Sequence, residues 1–479
     1  MKKRICEICL ILSLLLMTIS VMSCRKKTPH SPDETLPGKE TQGLYNDSLP
    51  EGIDLNEYEY RVLTYKDGNI NNESWNAYIE IEGYNNALLN DAAFSRNCQV
   101  EERLNCIISC VELGGFMETA TVLGNHILLG EDLCDVAIIQ NSGTSTGNLV
   151  VNGMIKDVGN LPYMDLARLY YQQSANEVFT IGGKQYFFSG DMVCTLYSQN
   201  YIFGNLDEWK NQRIEEDPFQ LVRDGEWTFD KCFGIIRDTY SDLNGNSDHD
   251  VDDFYGITGI PTTLAYCFAS AGCPILKFTD TGFEMPVACD SNLNVVNDLM
   301  KELDNPDCYW EKDGYKKSFF DGHCLLFFSG SPIATLRDAT FETMLLPFPK
   351  YNVEQEDYRP MLRGGLICVP ETSINLRATG IITEAMFSSS SRYMRPAYIE
   401  RFVELRVLRN PESGEMLNLI MDKGYYSFID YFDPSGKCNG LDLIESVLVN
   451  RSNLTSAWAE IQGPVESGYQ DLFDKLIGF

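Results

Sequence analysis

Histidine is scarce, with four in 479 residues, and no C-x-x-C pair occurs after Cys24. Zinc sites are built from those residue types at short spacings, so the supply argues against one. Cations are also short: 38 Lys and Arg stand against 69 Asp and Glu, a formal charge of −31. A surface of that sign repels phosphate backbones, which argues against a nucleic-acid partner. Beyond the first two dozen residues no apolar run approaches the roughly 20 residues of a membrane-spanning helix. H-E-x-x-H, a P-loop and a His-based triad are lacking as well. A surface polysaccharide hydrolase, the enzymatic alternative, therefore rests only on the abundance of carboxylates.

The N-terminus is the exception to the acidity. Lys2, Lys3 and Arg4 precede a short apolar run, Ile8–Ile19, the pattern of a signal peptide over residues 1–23. It ends in VMSC (Val21–Cys24), which resembles a bacterial lipobox although Met22 is larger than the usual residue there. The resemblance implies that Cys24 receives a diacylglyceryl group and a further fatty acid such as palmitate, and two chains anchor stably where one does not. Cleavage would remove three cations and Glu7, taking the charge from −31 to −33. Residues 24–56 are polar and rich in Pro, Gly, Ser and Thr, the composition of a flexible tether. The chain is thus expected to be exported, lipid-anchored to the outer face of the cell membrane and otherwise soluble.

The folded part reads as strand, helix, strand, helix, strand: EYRVLTY (59–65), a helix face over 86–104, CIISCV (106–111) and CDVAII (134–139). That order implies a parallel sheet with right-handed crossovers. KQYFFSGD and VCTLYSQN read as two short strands broken at Gly190-Asp191. Thr228 reads as an N-cap, with Trp227 packed under the helix start. CLLFF (324–328) and LICVPET (366–372) read as later strands. Pro396 and Pro411 sit where first helical turns are expected. Thirteen cysteines follow Cys24; Cys106, Cys110, Cys134, Cys194, Cys324 and Cys368 lie in apolar runs and read as buried small hydrophobes.

Six stretches in order, beginning NDAAFSRNCQVEERLN (90–105), FFSGDMVCTLYSQN (187–200) and DGEWTFDKCFGIIRDTYSDLNGNSDHDVDDFYGI (224–257), resemble a known family. FFDGHCLLFFSG (319–330), LLPFPKYNVEQEDYRP (345–360) and RNPESGEMLNLI (409–420) complete the set. Residues 57–479 are similar to carbohydrate-type (family 1) extracellular solute-binding proteins of bacterial ABC importers, lipoprotein branch. The resemblance implies an α/β, two-lobed periplasmic-binding-protein-like (type II) fold, with a ligand cleft between lobes joined by crossing strands. It implies a first lobe of 57–190 with a return at 358–410, and a second of 191–357 with the C-terminal helices of 411–479. The expected partners are a small solute, probed first as carbohydrate, and a membrane ABC permease; a membrane sensor is the alternative, and the chain is expected to be monomeric. Implied ligand-binding residues are Thr64, Tyr65, Trp75, Gln140, Asn141, Ser189, Asp191, Tyr266, Ser270, Ser329, Ser331, Arg363, Gly364, Tyr425 and Tyr426. No catalytic residue and no organic cofactor is implied.

One loop stands apart. DLNGNSDHDVDD places Asp242, Asn244, Asn246, Asp248, Asp250 and Asp253 at positions 1, 3, 5, 7, 9 and 12, the ligand positions of a calcium loop. Ser247 holds the turn position usually given to Gly, and Asp253 replaces the longer Glu. A structural calcium ion explains the alternation better than catalysis does; an exposed acidic turn is the other reading.

Overall fold

In the computed structural model the described residues are 46–66, 76–140, 143–279, 282–311, 313–329, 333–404, 410–433 and 440–477. The leader, Cys24 and the tether up to residue 45 lie outside them; its last stretch, 46–56, is described and is not free of the fold, since Leu49 and Leu55 are buried and Asp47 pairs with Arg103. The first sheet contains β1 (Tyr58–Thr64), β2 (Cys106–Glu112) and β3 (Val136–Ile139), and β1 runs parallel to both others. Alternate β1 side chains Tyr60 and Val62 are fully buried, as a strand covered by helices requires. Between β1 and β2 the helix Leu88–Leu104 buries Leu89, Ala93, Val100 and Leu104, and Asn105 ends it in the left-handed region (φ 48°).

The chain then leaves this sheet. VCTL is not a strand: Asp191–Leu196 forms a 3₁₀ segment. Gly190 sets it up, because its φ of +151° brings the site of a Cβ within 2.0 Å of the Tyr170 carbonyl. Only glycine fits there. Next, β4 (Ser198–Gln199) leads into β5 (Tyr201–Asn205), the start of the second sheet. That sheet adds β6 (Tyr255–Thr258), β7 (Cys308–Tyr309), β8 (Cys324–Ser329) and β9 (Thr343–Leu346), in the order β7-β6-β8-β5-β9. β6 is parallel to β7 and β8, whereas β5 is antiparallel to β8 and β9.

The return passes through β10 (Leu362–Arg363), antiparallel to β4, into β11 (Leu366–Cys368), which closes the first sheet against β3. Two sheets are therefore joined by one two-stranded crossing, the two-lobed α/β architecture that the resemblance implied. Thr228 caps the helix Phe229–Ile235 through the Lys231 N–H, and buried Trp227 donates its indole N–H to the Pro347 carbonyl at 2.9 Å. Pro411 opens the helix Pro411–Lys423. Pro396 instead lies inside the helix Leu376–Glu404, which runs through it at the expense of one backbone hydrogen bond. The twelve described cysteines are all free thiols, and of the six singled out above all but the half-buried Cys110 are buried. Among the described residues no helix is long and apolar enough to cross a membrane.

Candidate functional site

The crossing concentrates the polar groups. Gln140, at the end of β3 and buried, donates its amide to the Leu196 carbonyl at 2.5 Å and accepts the Gly365 N–H at 2.9 Å. One side chain thus ties the first sheet to both connecting segments. Gly364 (φ +77°) and Gly365 (φ +62°) take left-handed backbone between β10 and β11, a conformation glycine adopts without strain. The Gly364 N–H donates to the Tyr431 hydroxyl at 2.9 Å, and its carbonyl accepts from Tyr426 at 2.8 Å. Ser189 donates to the Gly365 carbonyl at 2.6 Å, with the Tyr426 hydroxyl 3.1 Å away. Buried Asp191 faces Arg395 at 3.4 Å through one oxygen, and its other oxygen has no hydrogen-bond partner among the described residues. Burial pushes its pKa up to about 6 against the pull of Arg395.

A second group of polar side chains adjoins the crossing. Arg363 donates Nε–H to Asp430 Oδ2 at 3.0 Å from the helix Phe428–Tyr431. Asp430 is 1% exposed, and its Oδ1 lacks a hydrogen-bond partner among the described residues. A shielded carboxylate oxygen left unpaired costs about 1–3 kcal/mol or more. Burial raises the Asp430 pKa and Arg363 offsets part of that rise. For Arg363 burial works the other way, but Asp430 together with Tyr266 and Tyr431 more than offsets it and the guanidinium pKa is raised. Tyr266, on the helix Pro261–Ser270, lies within electrostatic range of Arg363, Glu445, Asp430 and Asp442. Glu445 accepts from Thr262 on that same helix. Three elements of different origin thus bring a cation, a phenol and several carboxylates together beside the crossing.

Of the expected ligand contacts, the structure gathers Gln140, Ser189, Gly364 and Tyr426 in the crossing, and Tyr266 and Arg363 beside it. Thr64, Tyr65, Ser270 and Ser329 are buried at the ends of their elements, with Tyr65 packed edge-on to Phe116. Tyr425 lies under Arg359, 4.8 Å from its ring centroid, and lines a 450 Å³ cavity with Glu177, Phe278 and Phe428. Trp75, Asn141 and Ser331 fall outside the described residues. Asp430 and Tyr431 were not anticipated; the signal was an acid set among the aromatics of FIDYFD.

Gly143-Thr144-Ser145-Thr146-Gly147, not anticipated above, has the G-x-S-x-G spacing after β3 and at the start of the helix Thr144–Val151. Such a serine needs a histidine base. Among the described residues Ser145 has only the Thr121 hydroxyl, at 3.3 Å. His126 pairs with Glu131 and His249 stacks on Tyr240, so neither serves it.

In the acidic loop, Asp242 accepts the N–H groups of Gly245 and Ser247 at 2.6 and 3.0 Å, and Ser247 is left-handed (φ 67°). Asn244 and Asn246 donate their amides to Asp250, and the Asp248 N–H donates to Asn246. Asp253, fully buried, accepts from the Leu243 N–H and the Tyr240 hydroxyl. Among the described residues no three His, Cys, Asp or Glu side chains gather at a point that could hold a metal.

No protein-family model and no curated protein matches the sequence. Solved structures do resemble the fold. The sugar-binding protein MalE of Xanthomonas citri aligns at TM-score 0.58 and 10% identity, over 86% of this chain and 98% of its own. A cyclo/maltodextrin-binding protein complexed with maltotetraose gives 0.55 and 11%, over 88% and 97%. UgpB of Mycobacterium tuberculosis in complex with glycerophosphocholine gives 0.51 and 12%, over 88% and 99%. The chain therefore has the two-lobed α/β fold of ABC-importer solute-binding proteins.

Proposed function

We propose that the protein captures a carbohydrate or related small solute between its lobes and delivers it to an ABC permease. It acts while held to the outer face of the cell membrane through a lipid on Cys24. The observation that carries this reading is the polar cluster Arg363–Asp430–Tyr266 beside the two-stranded crossing between the sheets, which would serve as the hinge. A solute that touches both lobes favours the closed arrangement by its differential affinity for it. Tethering keeps the binder near its permease and raises their effective concentration. The solute-binding proteins of like fold support the transport role, and the leader with VMSC supports export.

Thermal unfolding of the full chain with mono- and oligosaccharides, polyols and peptides tests the proposal. A true solute at 100 times its Kd stabilises by about 2.7 kcal/mol. For a chain of this length the unfolding entropy is roughly 0.9 kcal/mol per K, so the midpoint rises by about 3 °C. A flat response across all classes contradicts the proposal.

A further inference from the structure

At the open edge of the second sheet we infer a second binding site, for a small organic cation of the quaternary-ammonium type, in a 360 Å³ cavity lined by Tyr309, Trp310, His249 and Glu311. The inference is independent of solute capture between the lobes. Neither Arg363, Asp430 nor Tyr266 lines the cavity. Tyr309 lies on β7, the outermost strand in the order β7-β6-β8-β5-β9. Three strand spacings, about 14 Å, separate β7 from β5, where the chain enters from the crossing.

The volume falls at the small end of ligand pockets, about 300–1,000 Å³. The class of ligand follows from which polar groups are already used. The Tyr309 hydroxyl donates to the Asp313 carbonyl at 3.1 Å, and that of Tyr255, which also lines the cavity, to the Asp250 carbonyl at 2.9 Å. The Trp310 indole N–H donates to the Glu302 carbonyl at 2.8 Å. With these donors committed to the protein, the residues leave ring surface to a ligand, and the face of an aromatic ring attracts a cation. The charges agree. Burial, and then Glu311, Asp250 and Asp313, raise the Tyr309 pKa, so three carboxylates act on that ring. Glu311 is exposed and has no ion-pair partner among the described residues. The basic groups of the lining are engaged elsewhere: Arg451 donates to Asp304 at 2.6 Å and to the Leu303 carbonyl at 3.2 Å, and the His249 ring stacks on Tyr240 at 4.1 Å. An anion meets the carboxylates, and a neutral polyhydroxyl compound finds its donors spent. A metal ion lacks a gathered set of three ligands among the described residues. An ammonium clothed in methyl groups is drawn by the rings and by Glu311 together.

Isothermal titration of the full chain at fixed ionic strength tests the site. The probes are tetramethylammonium, choline and 3,3-dimethylbutanol, the neutral carbon counterpart of choline, with sodium as the salt control. The expected result is binding heat with both ammonium ions and none with the alcohol or with sodium. Tyr309→Leu should weaken the binding about 2- to 30-fold, the span of one cation–π contact. Tyr309→Phe keeps the ring and should keep the parental affinity, a rescue that a role for the hydroxyl does not give. Glu311→Gln should weaken the binding about 2- to 5-fold, as the loss of one exposed charge pair does. Its unfolding midpoint should match the parent's, because the side chain is exposed. Equal affinity for the alcohol overturns the cationic class. No heat with either ammonium ion at millimolar concentration, or parental affinity in both Tyr309→Leu and Glu311→Gln, overturns the site. Each of these results leaves solute capture standing, and a flat response to the saccharide, polyol and peptide panel leaves this site standing.

Discussion

Replacing Gln140 separates a structural tie from a solute contact. In Gln140→Ala the Leu196 carbonyl and the Gly365 N–H both lose their partner in a buried setting. Each orphaned group costs about 1–3 kcal/mol, so the pair costs about 2–6 kcal/mol. With an unfolding entropy of roughly 0.9 kcal/mol per K, the midpoint falls by about 2–7 °C. Differential scanning calorimetry of the solute-free protein reads this directly. A fall of less than about 1 °C, with solute affinity lost, refutes the account of Gln140 as the link between β3 and the crossing.

Gly364→Ala places a Cβ 2.2 Å from the Gln140 amide at φ +77° and should cost about 2–4 kcal/mol. Gly183→Ala, at a similar φ of +78° with open space around it, should cost only the backbone share, about 1 kcal/mol; urea unfolding of both variants reads the difference. Asp191 has a folded pKa near 6, above its unfolded value of 3.8, so between those values the folded state holds more protons. Stability should therefore fall as pH rises from about 4 to 6, by at most about 3 kcal/mol from this group. Asp191→Asn should flatten that part of the stability–pH curve relative to the parent. Isothermal titration of calcium-stripped protein decides between the two readings of the acidic loop: heat that is lost in Asp242→Ala with Asp250→Ala supports calcium, and no heat at millimolar calcium leaves the hydrogen-bonded turn that the side chains form without metal.

Strand positions were legible because each is a short apolar run between polar breaks, and the parallel order followed from alternation with helices. VCTL misled because its apolar content comes from burial in the crossing, not from a sheet: all six residues Asp191–Leu196 are buried in 3₁₀ geometry. Pro396 misled because a helix packed along its length against the helix Leu88–Leu104 tolerates one missing bond. Arg363-Gly364-Gly365 was legible through the family resemblance and through the backbone freedom of paired glycines. Asp430 was not, because it meets Arg363 across 67 positions of sequence and no local pattern encodes that pairing. The acidic loop showed its spacing in the sequence, yet its side chains bond mainly to neighbouring amides, which spacing alone does not reveal.

Small-angle scattering of the full chain with and without its solute tests the central claim most directly. Rotation of one sheet toward the other about the β4–β10 crossing predicts a smaller radius of gyration when solute is bound, saturating with the calorimetric Kd. An unchanged scattering curve at saturating solute contradicts closure.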